Sequence, residues 1–356
     1  MQKQPLKCRL GVVGMAYGGY QLGEELGPAK VEEIIKRLDT NFFEYVARKQ
    51  IVMSQQESRL VGEQFAKQSV DAILVILTTF VPDYFVLDLV TVCDVPVFIW
   101  AVEREMKCLA LVAGPLITAT LYNFHKPVAL YAGDTDDGVI PEKLKLFTRA
   151  ALLKRILRTS RIGWCGGACP IMANMSADPD SLRRLLGVSV EILPIEELYN
   201  ATAKISDADA KNTWEEIRKR VGWAKVQEAD GIESARYYLG ARHLVEKHNL
   251  SALSINCFPH LKSKICLAVA CLNDDGVAAA CEGDLHSTLL MHMLGSISGS
   301  TAFNGDWLRI YPDKNEILFS HCGAGAFSLA ECSADITLRS SMETCDGVAV
   351  CYATAI

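Results

Sequence analysis

The feature that most constrains this chain is a series of short, wholly apolar runs. Arg9–Gly14 (RLGVVG) opens the series, and Ala72–Leu77 (AILVIL), Pro96–Ala101 (PVFIWA) and Pro127–Gly133 (PVALYAG) continue it. Strands that show no polar/apolar alternation need cover on both faces, which is the condition of a parallel sheet clothed by helices. The intervening segments can supply that cover. Val31, Ile34, Ile35, Leu38 and Phe42 recur at helical spacing behind Pro28, and a second helix is expected over 57–68. Strands alternating with helices predict a doubly wound parallel sheet.

The same pattern then starts again. A helix over 141–157 leads into Arg161–Gly166 (RIGWCG), followed by Ser189–Pro194 (SVEILP), Ala252–Cys257 (ALSINC) and Val277–Cys281. Between them Asp178 reads as a helix N-cap, Pro179 as the first helical residue and Gly187 as the residue past the end. Two amphipathic helices are expected at 207–221 and 232–248, with their charged faces in solvent. The chain is therefore read as two doubly wound α/β domains of Rossmann-/flavodoxin-like type, 1–153 and 154–305. Residues 306–356 read as the beginning of a β-rich C-terminal domain. Gly11, Gly14, Gly18 and Gly19 do not make the GxGxxG spacing of a dinucleotide loop, so Met15–Gly23 reads as a tight turn or a substrate-side loop.

Composition narrows the function classes. At 356 residues, half of them hydrophobic, the chain has enough apolar material for two or more cores. A net charge of −6 without a long basic run argues against a nucleic-acid partner. The apolar runs are too short to span a membrane, and the opening MQKQPLKCRLGVVG has no long apolar segment of a secretory leader. The 13 cysteines are scattered and odd in number, as expected of reduced thiols in the cytoplasm.

The chemistry concentrates between Gly276 and Gly325. The strand Val277–Cys281 stops abruptly at Glu282-Gly283-Asp284, and Leu285, Leu289, Met293 and Ile297 then mark a helix. Ligands of open α/β sheets sit at the carboxyl ends of strands, where this order places Glu282. Trp307–Tyr311 and Glu316–Ser320 read as a hairpin closed by Pro312-Asp313-Lys314-Asn315. A register centred between Asp313 and Lys314 sets Asp306 opposite His321, with Cβ atoms roughly 4.5–5.5 Å apart. Two carboxylates and an imidazole suit Mn²⁺ or Mg²⁺, with the imidazole widening the choice towards cobalt or zinc. The glycine-rich loop Cys165–Met172 follows another strand end, with Met172 as its substrate-binding candidate. Cys165 and Cys169 lack a second ligand pair and read as loop thiols, and His260 as a surface-loop residue. His286 and His292, six residues apart on one helix, point to different faces.

Ala280-Cys281-Glu282-Gly283-Asp284 behind a strand, the downstream Asp306 and His321-Cys322-Gly323 together resemble the L-fucose/L-arabinose isomerase family. The resemblance covers most of the chain and is most specific between Glu282 and Gly323. It implies a metal-dependent aldose–ketose isomerase working through an ene-diol intermediate on a small-molecule sugar. Glu282 and Asp306 would bind Mn²⁺ (or another divalent cation) and exchange protons with the substrate, and His321 would be the downstream histidine. It also implies a homo-oligomer, a hexamer by family. Members of the family continue into a β-rich domain that carries one more metal-binding histidine, of which this chain is expected to hold only the start. The alternative expectation is a catalytically inactive sugar-binding or regulatory protein on the same scaffold.

Overall fold

The computed structural model describes residues 6–19, 25–103, 109–134, 140–341 and 344–352, in two compact units, 6–155 and 156–356. In the first unit the first three apolar runs become interior strands, and the fourth becomes an edge strand that is only partly buried. In chain order its elements are β1 (Cys8–Met15), α1 (Gly27–Arg37), β2 (Phe43–Ala47), α2 (Gln55–Lys67), β3 (Ala72–Leu77), α3 (Asp83–Val92), β4 (Val97–Ala101), α4 (Ala110–Asn123), β5 (Val128–Ala132) and most of α5 (Glu142–Thr159). The sheet is parallel in the order β2-β1-β3-β4-β5. That order is the flavodoxin-like doubly wound topology. Every residue of β3 and β4 is buried, as strands covered on both faces require. Ser54 caps α2 by accepting a hydrogen bond from the Glu57 amide, while Glu57 accepts one from the Met53 amide.

The expected helical stripe around Phe42 needs correction. Helix α1 ends at Arg37, and Phe42 immediately precedes β2, an edge strand whose Glu44 and Tyr45 are exposed. The expected loop 15–23 lies partly outside the described residues.

The second unit repeats the topology. It contains β6 (Arg161–Cys165), α6 (Pro179–Leu186), β7 (Ser189–Leu193), α7 (Ile195–Ala203), α8 (Asp207–Arg218), β8 (Trp223–Lys225), α9 (Glu228–His248), β9 (Ala252–Ile255), α10 (Cys266–Asp274), β10 (Ala278–Ala280) and α11 (Leu285–Ser298). After these come β11 (Asp306–Tyr311), β12 (Glu316–Ser320), β13 (Thr337–Arg339) and β14 (Ala349–Cys351). The caps of α6 are those the sequence predicts: Asp178 accepts from the Asp180 amide, and Gly187 closes the helix at φ +81°.

The main sheet of this unit is parallel in the order β10-β9-β6-β7. Strand order reverses between β6 and β9, so the crevice for a ligand lies over their carboxyl ends. Strands β14-β13-β8 form a small second sheet, and Leu338 and Val350 share one core with Leu253, Ile255, Leu267 and Val269. Among the described residues, no helix is long and apolar enough to cross a membrane.

Candidate active site

Three adjacent strand ends of the second sheet carry the polar and thiol groups of the site. β6 leads into the loop Cys165–Met172, β9 into Asn256 and Cys257, and β10 into Cys281 and Glu282. Asn256 donates from its amide nitrogen to the carbonyls of Gly166 and Ala168, both at 3.2 Å, and so ties the first loop to the second strand end. Met172, half-buried, closes that loop, its amide donating to the Cys169 carbonyl at 3.3 Å.

Glu282 sits in an unusual backbone state. Its φ is +65°, in the left-handed region, and Gly283 follows at +68°. Two consecutive left-handed residues turn the chain sharply off β10. The turn is pinned by the Gly283 amide on the Ile255 carbonyl (3.1 Å) and by Trp164 Nε1 donating to the Gly283 carbonyl (2.9 Å). A Cβ at position 283 would lie 2.1 Å from the Gly167 carbonyl oxygen, so the two strand-end loops touch through glycine backbone. Gly283→Ala should therefore cost at least the ~1–2 kcal/mol of a left-handed alanine, with the clash added, and should lower the denaturant midpoint measurably. An unchanged midpoint would show that the two loops can part freely. Asp284, by contrast, is structural: its side chain caps α11 by accepting from the Ser287 amide at 2.8 Å.

A non-glycine residue held left-handed costs about 1–3 kcal/mol, and such residues cluster where function demands a fixed side chain. Glu282 is half-buried, and burial pushes its carboxyl above the ordinary carboxylate range. His321 pulls the same group down, while Cys322, Asp306 and Asp284 push it further up. Glu282, Asp306 and His321 are thus brought within electrostatic reach of one another.

The hairpin delivers His321 differently from the expectation. Tyr311 pairs with Glu316, Ile310 with Ile317 and Arg309 with Leu318, which is the predicted register. A bulge between Trp307 and Arg309 then shifts the ladder by one, so Asp306 lies opposite Ser320 rather than His321. A bulge adds one unpaired residue to a strand and re-aims the side chains beside it. Asp306 is left exposed on the strand, while His321 turns inward behind β12. Gly323, at φ +104°, permits this turn, since a Cβ there would meet the Ala349 Cβ at 2.4 Å.

The imidazole is surrounded by sulfur. His321 Nδ1 lies 3.1 Å from Cys322 Sγ, and each ring nitrogen lies 3.8 Å from Cys281 Sγ. Cys266, on α10, has its Sγ 3.7 Å from that of Cys322. The hydrogen bond with Cys322 raises the His321 pKa to about 9, while those with Cys266, Cys281 and His321 lower the Cys322 thiol. The contact thus favours positive charge on the imidazole and negative charge on the Cys322 sulfur. Cys257 joins through its contact with Cys281, which lowers its own thiol. No disulfide joins the described cysteines.

The sequence reading finds Glu282, Asp306 and His321 but misses these thiols. Cys257, Cys266, Cys281 and Cys322 come from four separate places in the chain, with no short ligand spacing between them. The usable signal was their position, because Cys281 precedes Glu282 directly and Cys322 follows His321 directly. Of the remaining histidines, His260 and His286 are exposed, and His292 bonds Ser160 at 2.8 Å.

Fold and site define an α/β protein with a strained acidic residue at a strand end, within electrostatic reach of an imidazole. Residues 175–300 match the family model described as the L-arabinose isomerase central domain. The chain is 24% identical over 331 residues to a sulfoquinovose isomerase of Priestia megaterium, covering 89% of this chain and 74% of that one. It is 27% identical over 273 residues to a sulfoquinovose isomerase of Alkalicoccus urumqiensis, covering 73% of this chain and 61% of that one. An L-arabinose isomerase of a Nocardioides species is 26% identical over 212 residues, covering 56% of this chain and 42% of that one. The chain is thus similar to proteins of an arabinose/fucose isomerase-like family.

Proposed function

We propose that the protein is an aldose–ketose sugar isomerase acting at the carboxyl ends of β6, β9 and β10. The observation that carries this reading is Glu282, a strained and half-buried carboxylate whose charge is felt by both His321 and Asp306. The relatives named sulfoquinovose isomerase and L-arabinose isomerase support the same class of reaction.

Glu282 is the base that removes the proton from the carbon next to the substrate carbonyl. The resulting ene-diol takes the proton back at the former carbonyl carbon, which completes the aldose-to-ketose exchange. A carboxyl raised above its ordinary range holds a proton more readily at neutral pH, which suits a group that must both accept and return one. Asp306 exchanges a proton with the neighbouring hydroxyl. Met172 borders the sugar from the β6 loop.

A carboxylate whose proton affinity is raised by burial and by a second carboxylate nearby fits a site whose charge is balanced by a cation. Glu282 and Asp306, with His321, would hold Mn²⁺ or a similar divalent ion through two hard oxygen donors and one imidazole. When bound, the ion supplies Lewis-acid stabilisation of negative charge developing on the substrate oxygens. The reading carries with it a cytoplasmic homo-oligomer, a hexamer. It is supported by Trp307, Leu308, Ile310, Ile317 and Leu318, which lie exposed on an isolated two-stranded hairpin that is marginal in water unless something packs on it.

The test is turnover of sulfoquinovose and of L-arabinose by the 356-residue chain, before and after chelation and with Mn²⁺ restored. Isomerisation lost on chelation and regained with the metal is the expected result. Sugar binding without turnover at any metal concentration would replace this reading with that of a binding protein.

A further inference from the structure

The thiols around His321 form a donor set of a different kind from the carboxylates. Among the described residues, the potential ligands that converge are Cys281, His321 and Cys322, whose donor atoms all lie within 4.8 Å of one another. Neither carboxylate belongs to that group. We propose that Cys281, His321 and Cys322 form a second cation site, selective for a soft or borderline ion such as zinc, which shares His321 with the oxygen donors.

Three features of the geometry carry this assignment. Tetrahedral zinc, with bonds of about 2.3 Å to sulfur and about 2.0–2.1 Å to nitrogen, sets sulfur and nitrogen roughly 3.6 Å apart and two sulfurs roughly 3.8 Å apart. Cys281 Sγ stands 3.8 Å from each nitrogen of His321, and Cys322 Sγ stands 3.1 Å from His321 Nδ1. The ligands are also carried by ordered backbone. Cys281 is buried at the end of β10, and the Cys322 amide donates to His321 Nδ1 at 2.9 Å. Finally, thiolates with an imidazole select zinc or copper(I), whereas carboxylates favour manganese and magnesium.

Loading is balanced by proton release. The zinc–sulfur and zinc–nitrogen bonds form as each thiol, and the liganding ring nitrogen of His321, gives any proton it still carries to solvent, so uptake is pH-dependent. A zinc ion so held withdraws the imidazole from Glu282 and Asp306, and soft and hard cations compete for one residue. The assignment does not rest on the isomerase reading, because it is argued from the thiol geometry and its readout is separate from turnover.

The test is titration of the metal-free 356-residue chain with Co²⁺ under anaerobic conditions. One equivalent should bring up an intense sulfur-to-cobalt charge-transfer band, and equimolar Zn²⁺ should bleach it. The band should vanish in Cys281→Ser and Cys322→Ser, and persist in Glu282→Gln and in Cys332→Ser at an exposed position. On the unsubstituted protein, one equivalent of Zn²⁺ should slow alkylation of Cys322 at least tenfold and leave Cys332 unaffected. A cobalt spectrum without the band overturns the proposal, as does a band lost only in Glu282→Gln. Should both serine variants fail to fold, equal alkylation of Cys322 with and without zinc overturns it as well.

Discussion

Glu282→Gln should lower kcat by about 10²–10⁴-fold, the range contributed by a positioned acid–base group, while the protein stays folded. The glutamine keeps the shape of the side chain and its backbone state, and removes only the ionisable proton. Stability should move the opposite way from activity. Burial and the neighbouring Asp306 hold the Glu282 carboxyl above its ordinary value, so folding takes up a proton there. The destabilisation due to this group begins as pH rises past the ordinary carboxylate value, where the unfolded chain ionises first, and is complete above the raised value. In the metal-free protein Glu282→Gln should therefore unfold at a higher temperature than the parent at neutral pH, with the gap closing in acid. Activity retained in Glu282→Gln would remove the base from the scheme. A melting temperature that fell at neutral pH would remove the electrostatic account of its environment.

Asp306→Asn carries the second large effect. The residue is exposed on β11, so its substitution leaves the core untouched. Replacing one of the two charged oxygen donors should weaken Mn²⁺ by more than the 10–100-fold typical of losing a second-layer partner. Calorimetry on the parent and the variant reads this directly. Equal Mn²⁺ affinities would show that the bulge has carried Asp306 out of the coordination sphere. Ser320→Ala serves as the neighbouring control, because Ser320 is the residue that faces Asp306 across the ladder.

The sequence exposes those parts of the fold where one signal dominates. β3 and β4 are uninterrupted apolar runs, and only burial on both faces accommodates them. Helix α6 announces itself through Asp178, Pro179 and Gly187, each of which acts at a single terminal position. The sequence reading assigns no element to α4 or β2, for opposite reasons. Helix α4 is apolar almost all round and contains Pro115, so no stripe stands out against a polar face. Strand β2 lies at the sheet edge with Glu44 and Tyr45 in solvent, so its composition resembles a loop. The site divides in the same way. Glu282 is legible because a strand, a sharp turn and a helix frame it within a few residues. The one-residue shift between Asp306 and His321 is not, because a bulge is decided by packing on the two faces of the ribbon. The meeting of four thiols depends on tertiary structure alone.

The left-handed backbone at Glu282 has a genetic consequence. Both glutamate codons become glycine codons by one transition at the second base, and glycine occupies that conformation without steric cost. A mutation one transition away from this codon thus relieves the backbone strain and the buried charge together. A lineage that no longer used the reaction would lose Glu282 with a gain in stability, so glutamate or glycine at this one position, scored across natural sequences of the family, would separate working enzymes from retired ones.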